Sequence, residues 1–287
     1  MQVSEAYAAL RRELSALAGS EGEATAMARL IFHALKGWDT TGLVVHAADE
    51  VSAFTEERIA GILRRLRGGE PIQYILGEGR FYGLDLKVTP ATLIPRQETE
   101  ELVEWVAEDY RGRKDVRVLD AGTGSGAIAL ALARNLEFPE VTGLDVSGAA
   151  LAVARENGER LHVRVDWVEA DLFCWMPEAR SLDVIVSNPP YVMESERSGM
   201  ERHVLEHEPA GALFVPDDDA LRYYRRLAEI GLTGLADEGR IYFEINPLKA
   251  DELVEMMRGM GYEDVELRRD ISGRNRMLRA TIGRNAR

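Results

Sequence analysis

The chain has 287 residues, 46% of them hydrophobic and 29% charged, so it is long enough to bury a substantial core. The formal net charge of −14 argues against broad sequence-independent binding to nucleic acid, which needs a basic surface. The single cysteine, Cys174, excludes an internal disulfide and a multi-cysteine zinc site.

The first 70 residues carry apolar stripes at helical spacing and no alternating strand pattern, which predicts a small helical bundle as an N-terminal domain. We expect Thr55 to be the N-cap of its third helix and Gly68-Gly69 to end that helix. The stripes are Leu10, Leu14 and Leu17, then Met27, Leu30, Ile31 and Ala34, then Ile59, Ile62, Leu63 and Leu66.

Residues 71–97 are interpreted as a linker with a hairpin, because Phe81–Val88 alternates apolar and polar side chains as a strand does. From residue 98 to 287, helical and strand patterns alternate, which predicts an α/β domain with a mostly parallel sheet and helices on both faces. The last two strand patterns, near 264–269 and 276–282, have no helix between them, so we expect an antiparallel C-terminal edge.

A strand, a glycine loop and a helix follow one another in the stretch VLDAGTGSGAIALAL. Gly122, Gly124 and Gly126 allow a tight turn and close approach of a ligand, and the helix behind them offers free N–H groups to an anion or carboxylate. Asp145 ends the next strand, about twenty residues further on, where an acid in dinucleotide sites binds ribose. The spacing also fits an NAD fingerprint, which is a weak signal by itself.

Two features favour S-adenosylmethionine over a dinucleotide: Asp120 is placed to meet a cationic amino group, and the third glycine comes one residue early. The segment LDAGTGSG strongly resembles the first motif of class I S-adenosylmethionine-dependent methyltransferases. That resemblance implies that Asp145 binds the ribose, that Asp171 lies beside the adenine and that Leu172 packs on the adenine face. The full set of expected cofactor-binding residues is Asp120, Gly122, Thr123, Gly124, Ser125, Gly126, Asp145, Asp171, Leu172 and Asn188.

The tetrapeptide Asn188-Pro189-Pro190-Tyr191 follows the fourth predicted strand of the α/β domain. It resembles the signature of methyltransferases that act on a planar nitrogen, either a base amino group or a glutamine amide. Such a nitrogen is a poor nucleophile because its lone pair is delocalised. We expect the Asn188 oxygen and the Pro189 carbonyl to accept its two hydrogens, the prolines to fix the backbone and Tyr191 to wall the slot.

Three further segments identify the chain as similar to the release factor glutamine methyltransferases: Gly69–Val103, the stretch HEPAGALF at 207–214 and the closing strands YFEIN and RDISGRNRML. The resemblance implies that the substrate is the glutamine of the Gly-Gly-Gln loop of a peptide chain release factor, gripped by the N-terminal bundle. His207 and Leu172 depart from positions where an aromatic residue is common in the family.

Two other functions stay open at this point: a nucleic-acid amino methyltransferase with the same catalytic loop, and a binding module that kept the pocket without turnover. The stretch HVLEH, His203–His207, matches a short zinc-protease pattern, but we expect no metal site. The N-terminus lacks the apolar block of a signal peptide, and no apolar run approaches the ~20 residues that span a bilayer. We therefore expect a cytoplasmic protein without membrane contact or stable nucleic acid, and a monomer is favoured.

Overall fold

The computed structural model describes residues 1–283, which form two compact units. The first unit comprises Met1–Gly77 and Arg202–His207, and the second comprises Glu78–Glu201 and the chain from Glu208 onward. Across residues 1–283, no helix combines the length and the apolar character that a membrane crossing requires.

The first unit is helical, as predicted from its apolar stripes. A shared core buries side chains of four of its helices, among them Leu10, Leu14, Phe32 and Ile62. Ile72 joins that core, so the unit extends past residue 70 to Gly77. The helices of this unit are α1 (Val3–Ser15), α2 (Glu21–Lys36), α3 (Thr40–Val45), α4 (Ala53–Arg67), α5 (Ile72–Leu76) and α9 (Arg202–His207).

The prediction that Thr55 caps α4 is wrong. The helix begins at Ala53, and the N-cap is Ser52, whose hydroxyl oxygen accepts from the backbone N–H of Thr55. Thr55 therefore occupies the third helical position, with its own hydroxyl beside that of Ser52. The predicted end of the helix is confirmed, since Gly68 is its C-cap.

A two-stranded antiparallel hairpin opens the second unit, with strands β1 (Glu78–Phe81) and β2 (Leu84–Lys87). The hairpin is confirmed, but the alternating segment 81–88 is not one strand. Tyr82 and Gly83 form the turn, and their positive φ angles of 47° and 75° match the twist of the flanking strands. The buried side chains of Phe81, Leu84 and Leu86 join a core of the second unit.

The main sheet has seven strands in the order β10-β11-β9-β6-β3-β4-β5. All neighbours are parallel except the pairs made by β11, so the mostly parallel sheet with an antiparallel edge is confirmed. The bounds are β3 (Arg117–Ala121), β4 (Glu140–Asp145), β5 (Asp166–Glu169), β6 (Leu182–Ser187), β9 (Leu235–Glu244), β10 (Tyr262–Arg269) and β11 (Asn275–Ile282), with a short separate pair formed by β7 (Val192–Met193) and β8 (Phe214–Val215).

Helices cover both faces of this sheet, because its strands carry apolar side chains on both sides. Tyr242 and Phe243 are neighbours on β9 and are fully buried in different cores. Helices α6 (Gln97–Asp109) and α7 (Ala127–Asn135) contribute to the core with Tyr242, while α10 (Arg222–Gly234) and α11 (Ala250–Gly259) contribute to the core with Phe243. Helix α8 (Gly148–Leu161) contacts β4, β5 and β2.

The strand order reverses at β3, whose neighbours are β4 on one side and β6 on the other. In open parallel sheets, ligands bind outside the carboxyl ends of the strands at such a reversal. Asp120 lies in β3, Asp145 ends β4 and Asn188 directly follows β6. The topology therefore brings the main predicted site residues to one edge of the sheet.

A buried amide connects the hairpin to the glycine loop. The Asn157 side chain is fully buried in α8; its oxygen accepts from the Lys87 N–H at 2.7 Å, and its nitrogen donates to the carbonyls of Lys87 and Ser125 at 3.0 Å each. All these bonds lie between residues distant in sequence, so the side chain stabilises tertiary structure rather than the helix.

We predict that Asn157→Ala lowers the free energy of unfolding by about 3 kcal/mol, because it leaves buried backbone groups unpaired. Chemical denaturation of the wild type and the variant measures this loss. Asn135→Ala is the control, since Asn135 is exposed, its amide makes one local bond to the Ala131 carbonyl, and we expect a change below about 1 kcal/mol. Equal losses in the two variants would contradict the role of Asn157.

Candidate active site

The glycine loop connects β3 to α7 with three glycines at positive φ: Gly122 at 74°, Gly124 at 57° and Gly126 at 81°. A Cβ added at Gly122 or Gly124 would meet no atom within 4 Å, so the first two glycines border open space. A Cβ at Gly126 would lie 2.8 Å from the Trp167 ring. The loop therefore leaves room for a ligand at its first two glycines and needs the third for internal packing.

Asp120 is fully buried below this loop and has one unpaired oxygen. Its Oδ2 accepts from the Thr123 hydroxyl at 2.6 Å and from the Ala129 N–H at 3.0 Å, whereas Oδ1 has no hydrogen-bond partner among the described residues. Burial raises the pKa of Asp120 to about 7. A cationic ligand group would stabilise the charged form and pair the free oxygen. This environment fits the amino group of a methionine moiety.

Asp145 fixes the loop as well as offering acceptors to a ligand. Its Oδ2 accepts from the Gly124 N–H at 2.8 Å, and its Oδ1 accepts from the Ser147 N–H at 2.9 Å. Each carboxylate oxygen can accept a second hydrogen bond, so both remain able to bind a ribose hydroxyl. Ser125 is buried, and its carbonyl accepts from Asn157, so it supports the loop from within.

Asp171 and Leu172 follow β5 in a segment that is fastened to α10. The Asp171 carboxylate is exposed and accepts from the Phe173 N–H at 2.9 Å. Arg226 donates to the Leu172 carbonyl at 3.0 Å and to the Trp175 carbonyl at 2.8 Å. The expected contacts of Asp171 and Leu172 with adenine remain predictions, and the segment that carries them is held in place.

The tetrapeptide lies at the carboxyl end of β6. Pro189 is buried and Asn188 is half-buried, with its side-chain nitrogen donating to the Thr99 hydroxyl at 3.1 Å. The Tyr191 hydroxyl donates to Glu244 at 2.9 Å, and its carbonyl accepts from Asn246 at 3.1 Å. The loop is therefore anchored on both sides of its prolines.

Glu244, at the end of β9, accepts hydrogen bonds from two hydroxyl groups. Thr99 donates to one carboxylate oxygen at 2.5 Å, and Tyr191 donates to the other. Burial raises the pKa of Glu244, while the two hydroxyls and the charge of Arg276 oppose that rise. Burial also raises the pKa of the Tyr191 phenol, which keeps it protonated as a donor.

Sequence reasoning missed Thr99 and Arg276 and left Glu244 undecided between a supporting role and an ordinary carboxylate. A threonine in the first turn of a helix is indistinguishable from a capping residue, so Thr99 gave no signal. Glu244 did carry one: an acid at the end of an apolar strand that reaches the ligand edge of the sheet.

A buried ion pair joins the segment Gly69–Val103 to the segment 207–214. The Glu208 side chain is inaccessible to solvent; it accepts from the Arg96 guanidinium at 2.5 Å and from the Ile94 N–H at 3.3 Å. The bonds to Glu208 thereby anchor the segment just before α6, the helix whose first turn contains Thr99. Within residues 1–283, no group of three or more His, Cys, Asp or Glu side chains is arranged to hold a metal ion.

Comparison with known proteins identifies the family. Residues 5–77 match the model of the PrmC N-terminal domain, and residues 118–206 match a methyltransferase domain. The chain is 42% identical to the release factor glutamine methyltransferase of Bacteroides thetaiotaomicron over 90% of its own length and 92% of the relative. It is 38% identical to the enzyme of that name from Streptococcus pneumoniae, with the same coverage of 90% and 92%.

The chain belongs to the release factor glutamine methyltransferase family. A crystal structure of a methyltransferase from Pyrococcus furiosus, 18% identical, covers 81% of this chain and all of that one with a TM-score of 0.52, which supports the fold. Release factor glutamine methyltransferases use S-adenosylmethionine, so the cofactor expected from the sequence is confirmed. The open loop surface and the unpaired oxygen of Asp120 fit that cofactor.

We predict that Gly122→Ala weakens S-adenosylmethionine binding by at least about tenfold, because a methyl group enters the open space and the left-handed backbone becomes strained by about 1–2 kcal/mol. Isothermal titration calorimetry measures the affinity. Gly112→Ala is the matched control: Gly112 also has a positive φ, of 76°, and open space, but lies after α6, away from the loop. A similar loss of affinity in both variants would mean that strain alone is responsible.

Proposed function

We propose that this protein transfers a methyl group from S-adenosylmethionine to the side-chain amide nitrogen of the glutamine in the Gly-Gly-Gln loop of a peptide chain release factor. The observation that carries the proposal is the orientation of Asn188. Its amide nitrogen donates to Thr99, so its oxygen is left as an acceptor at the ligand edge of the sheet. That is the arrangement needed to hold the NH₂ group of an amide substrate.

The bound cofactor supplies an electrophilic methyl group on a sulfonium centre. The protein's own part is to position the nucleophile: the Asn188 oxygen and the Pro189 carbonyl accept the two amide hydrogens, and the restricted backbone of Pro189 and Pro190 keeps these acceptors fixed. One hydrogen of the Asn188 nitrogen is committed to Thr99, which leaves the other for the substrate carbonyl. No strong base is required before attack, and positioning supplies most of the rate.

A nucleic-acid amino group is the less favoured substrate, because the chain carries a net charge of −14 and its relatives are named for release factors. A binding module without turnover is disfavoured because Thr99 holds the Asn188 nitrogen and leaves the Asn188 oxygen as an acceptor for a substrate NH₂ group. We further propose that the enzyme acts as a monomer in the cytoplasm, where translation factors work.

We predict that Asn188→Ala lowers kcat on a purified release factor at least about 100-fold, since one preorganised acceptor is lost. Cofactor affinity should change less than about threefold. Methyl incorporation, mapped by mass spectrometry of the Gly-Gly-Gln peptide, measures the rate, with Asn135→Ala as the control. Full activity in Asn188→Ala would refute the mechanism.

The first unit is proposed to bind the body of the release factor. It has a cavity of about 700 Å³ lined by Phe54, Arg58, Arg64 and Arg65, among others. The Phe54 ring is 68% exposed, and the Arg58 guanidinium lies 5.9 Å from the centroid of that ring. An aromatic ring flanked by arginines is typical of a protein-binding surface.

We predict that Phe54→Ala raises KM for the whole release factor by about tenfold and leaves kcat/KM for a Gly-Gly-Gln peptide unchanged, because the peptide lacks the docked body. Steady-state kinetics on the two substrates measures the effect. Phe138→Ala is the matched control, since Phe138 is 75% exposed and lies in the second unit, just before the amino end of β4. Equal losses on protein and peptide would count against docking by the first unit.

A further inference from the structure

A continuous chain of side chains lies behind the catalytic amide in the second unit. Asn188 donates to Thr99, Thr99 donates to Glu244, and Tyr191 donates to the other oxygen of Glu244. The charge of Arg276 opposes the rise in the pKa of the Tyr191 phenol that burial causes. Thr99 and Glu244 are buried, with 5% and 2% exposure, so neither is accessible to a substrate. Any effect they have on the reaction passes through Asn188 or Tyr191.

This hydrogen-bonded chain of side chains has a fixed direction while Glu244 is ionised. An ionised carboxylate can only accept, so both hydroxyl groups that contact Glu244 donate to it. The Thr99 hydroxyl must give its single hydrogen to Glu244 and therefore offers only lone pairs to Asn188. In the same way, the Tyr191 hydroxyl gives its hydrogen to the other oxygen of Glu244.

The lone pairs on the Thr99 oxygen can form a hydrogen bond with only one end of the Asn188 side-chain amide, the NH₂ end. With its nitrogen toward Thr99, Asn188 makes a hydrogen bond; with its oxygen there, two acceptors would face each other in a buried place. The flipped amide would also present a donor to the substrate NH₂ group, which has only donors to offer. The productive orientation of Asn188 thus depends on the acceptor character of Glu244, transmitted by the Thr99 hydroxyl.

We propose that Thr99 and Glu244 are positioning residues that set the amide orientation of Asn188, an inference that rests on the proposed function. The end of β9 is also held in place by hydrogen bonds outside this hydrogen-bonded set of side chains. Tyr224 donates to the Glu244 backbone carbonyl at 3.0 Å, and Asn246 binds the Tyr191 carbonyl and Glu196. Removal of the Thr99 hydroxyl therefore frees the Asn188 amide while those anchors stay in place.

The test compares substitutions that alter the donor and acceptor pattern with little change of shape. Thr99→Val removes the hydroxyl, and Thr99→Ser keeps it. Glu244→Gln introduces an NH₂ group that can donate to Thr99 and so release the Thr99 hydrogen for the Asn188 oxygen. Thr233→Val is the control, because Thr233 is an exposed threonine near the end of α10.

We expect Thr99→Val and Glu244→Gln each to lower kcat for release factor methylation about 10- to 100-fold, with cofactor affinity within about threefold of the wild type. Thr99→Ser should restore most of the rate, and Thr233→Val should leave it unchanged. The double variant Thr99→Val/Glu244→Gln should be no slower than the slower single variant, since both substitutions act through one amide. Thermal unfolding of every variant identifies any loss of fold.

A second readout does not depend on turnover. In protein labelled with ¹⁵N-asparagine, the Asn188 side-chain NH₂ signals, assigned by their absence in Asn188→Ala, should show a protected hydrogen in the wild type and in Thr99→Ser. Thr99→Val should lose that protection.

The outcomes separate the two claims. A wild type that does not methylate release factor overturns the proposed function, and the amide signals still test the orientation. Wild-type kcat and unchanged amide signals in Thr99→Val overturn the positioning role. So does a Thr99→Ser variant as slow as Thr99→Val. If Thr99→Val does not fold, the kcat of Glu244→Gln is compared with that of Thr99→Ser. A Glu244→Gln variant as fast as Thr99→Ser would overturn the positioning role.

Discussion

The order of the parallel strands around β3 is the constraint on which the rest of the structure depends. Because β4 and β6 flank β3 and run in its direction, their carboxyl ends open at one edge of the sheet. Asp120, Asp145 and Asn188 each lie at such an end, so they converge although they are far apart in sequence. β9 extends this edge on the other side of β6 and adds Glu244. The proposed cofactor site and the proposed substrate site are therefore neighbours by topology.

Two buried carboxylates at this edge show how the same chemical group takes different roles. Asp120 has one oxygen without a partner among the described residues, and burial raises its pKa to about 7, so it gains most from a cationic ligand. Glu244 has both oxygens bonded to hydroxyl groups of the protein. The first carboxylate is incomplete until a ligand binds, whereas the second is complete and acts on its neighbours.

The sequence predicted the features that depend on local order: the glycine loop, the tetrapeptide and the alternation of strands and helices. It could not predict the hydrogen bonds that connect Asn188 to Thr99 and Glu244, because Thr99 is 145 positions from Glu244 and 89 from Asn188. The wrong N-cap at Thr55 has a related cause, since Ser52 and Thr55 are both good capping residues and only the backbone geometry separates them. Helix α5 was missed because it has only five residues and its helical pattern is too short to read.

The two acceptors proposed for the substrate NH₂ group need different means of control. The Pro189 carbonyl belongs to the backbone, and the two prolines restrict its direction through φ. The Asn188 oxygen belongs to a side chain whose two ends have nearly the same shape, so sterics cannot distinguish the productive orientation from the flipped one. Only hydrogen-bond polarity can, and a buried carboxylate provides it because it never donates while ionised. A tetrapeptide that resembles many others in sequence is therefore incomplete as a catalytic unit until Thr99 and Glu244 are placed behind it.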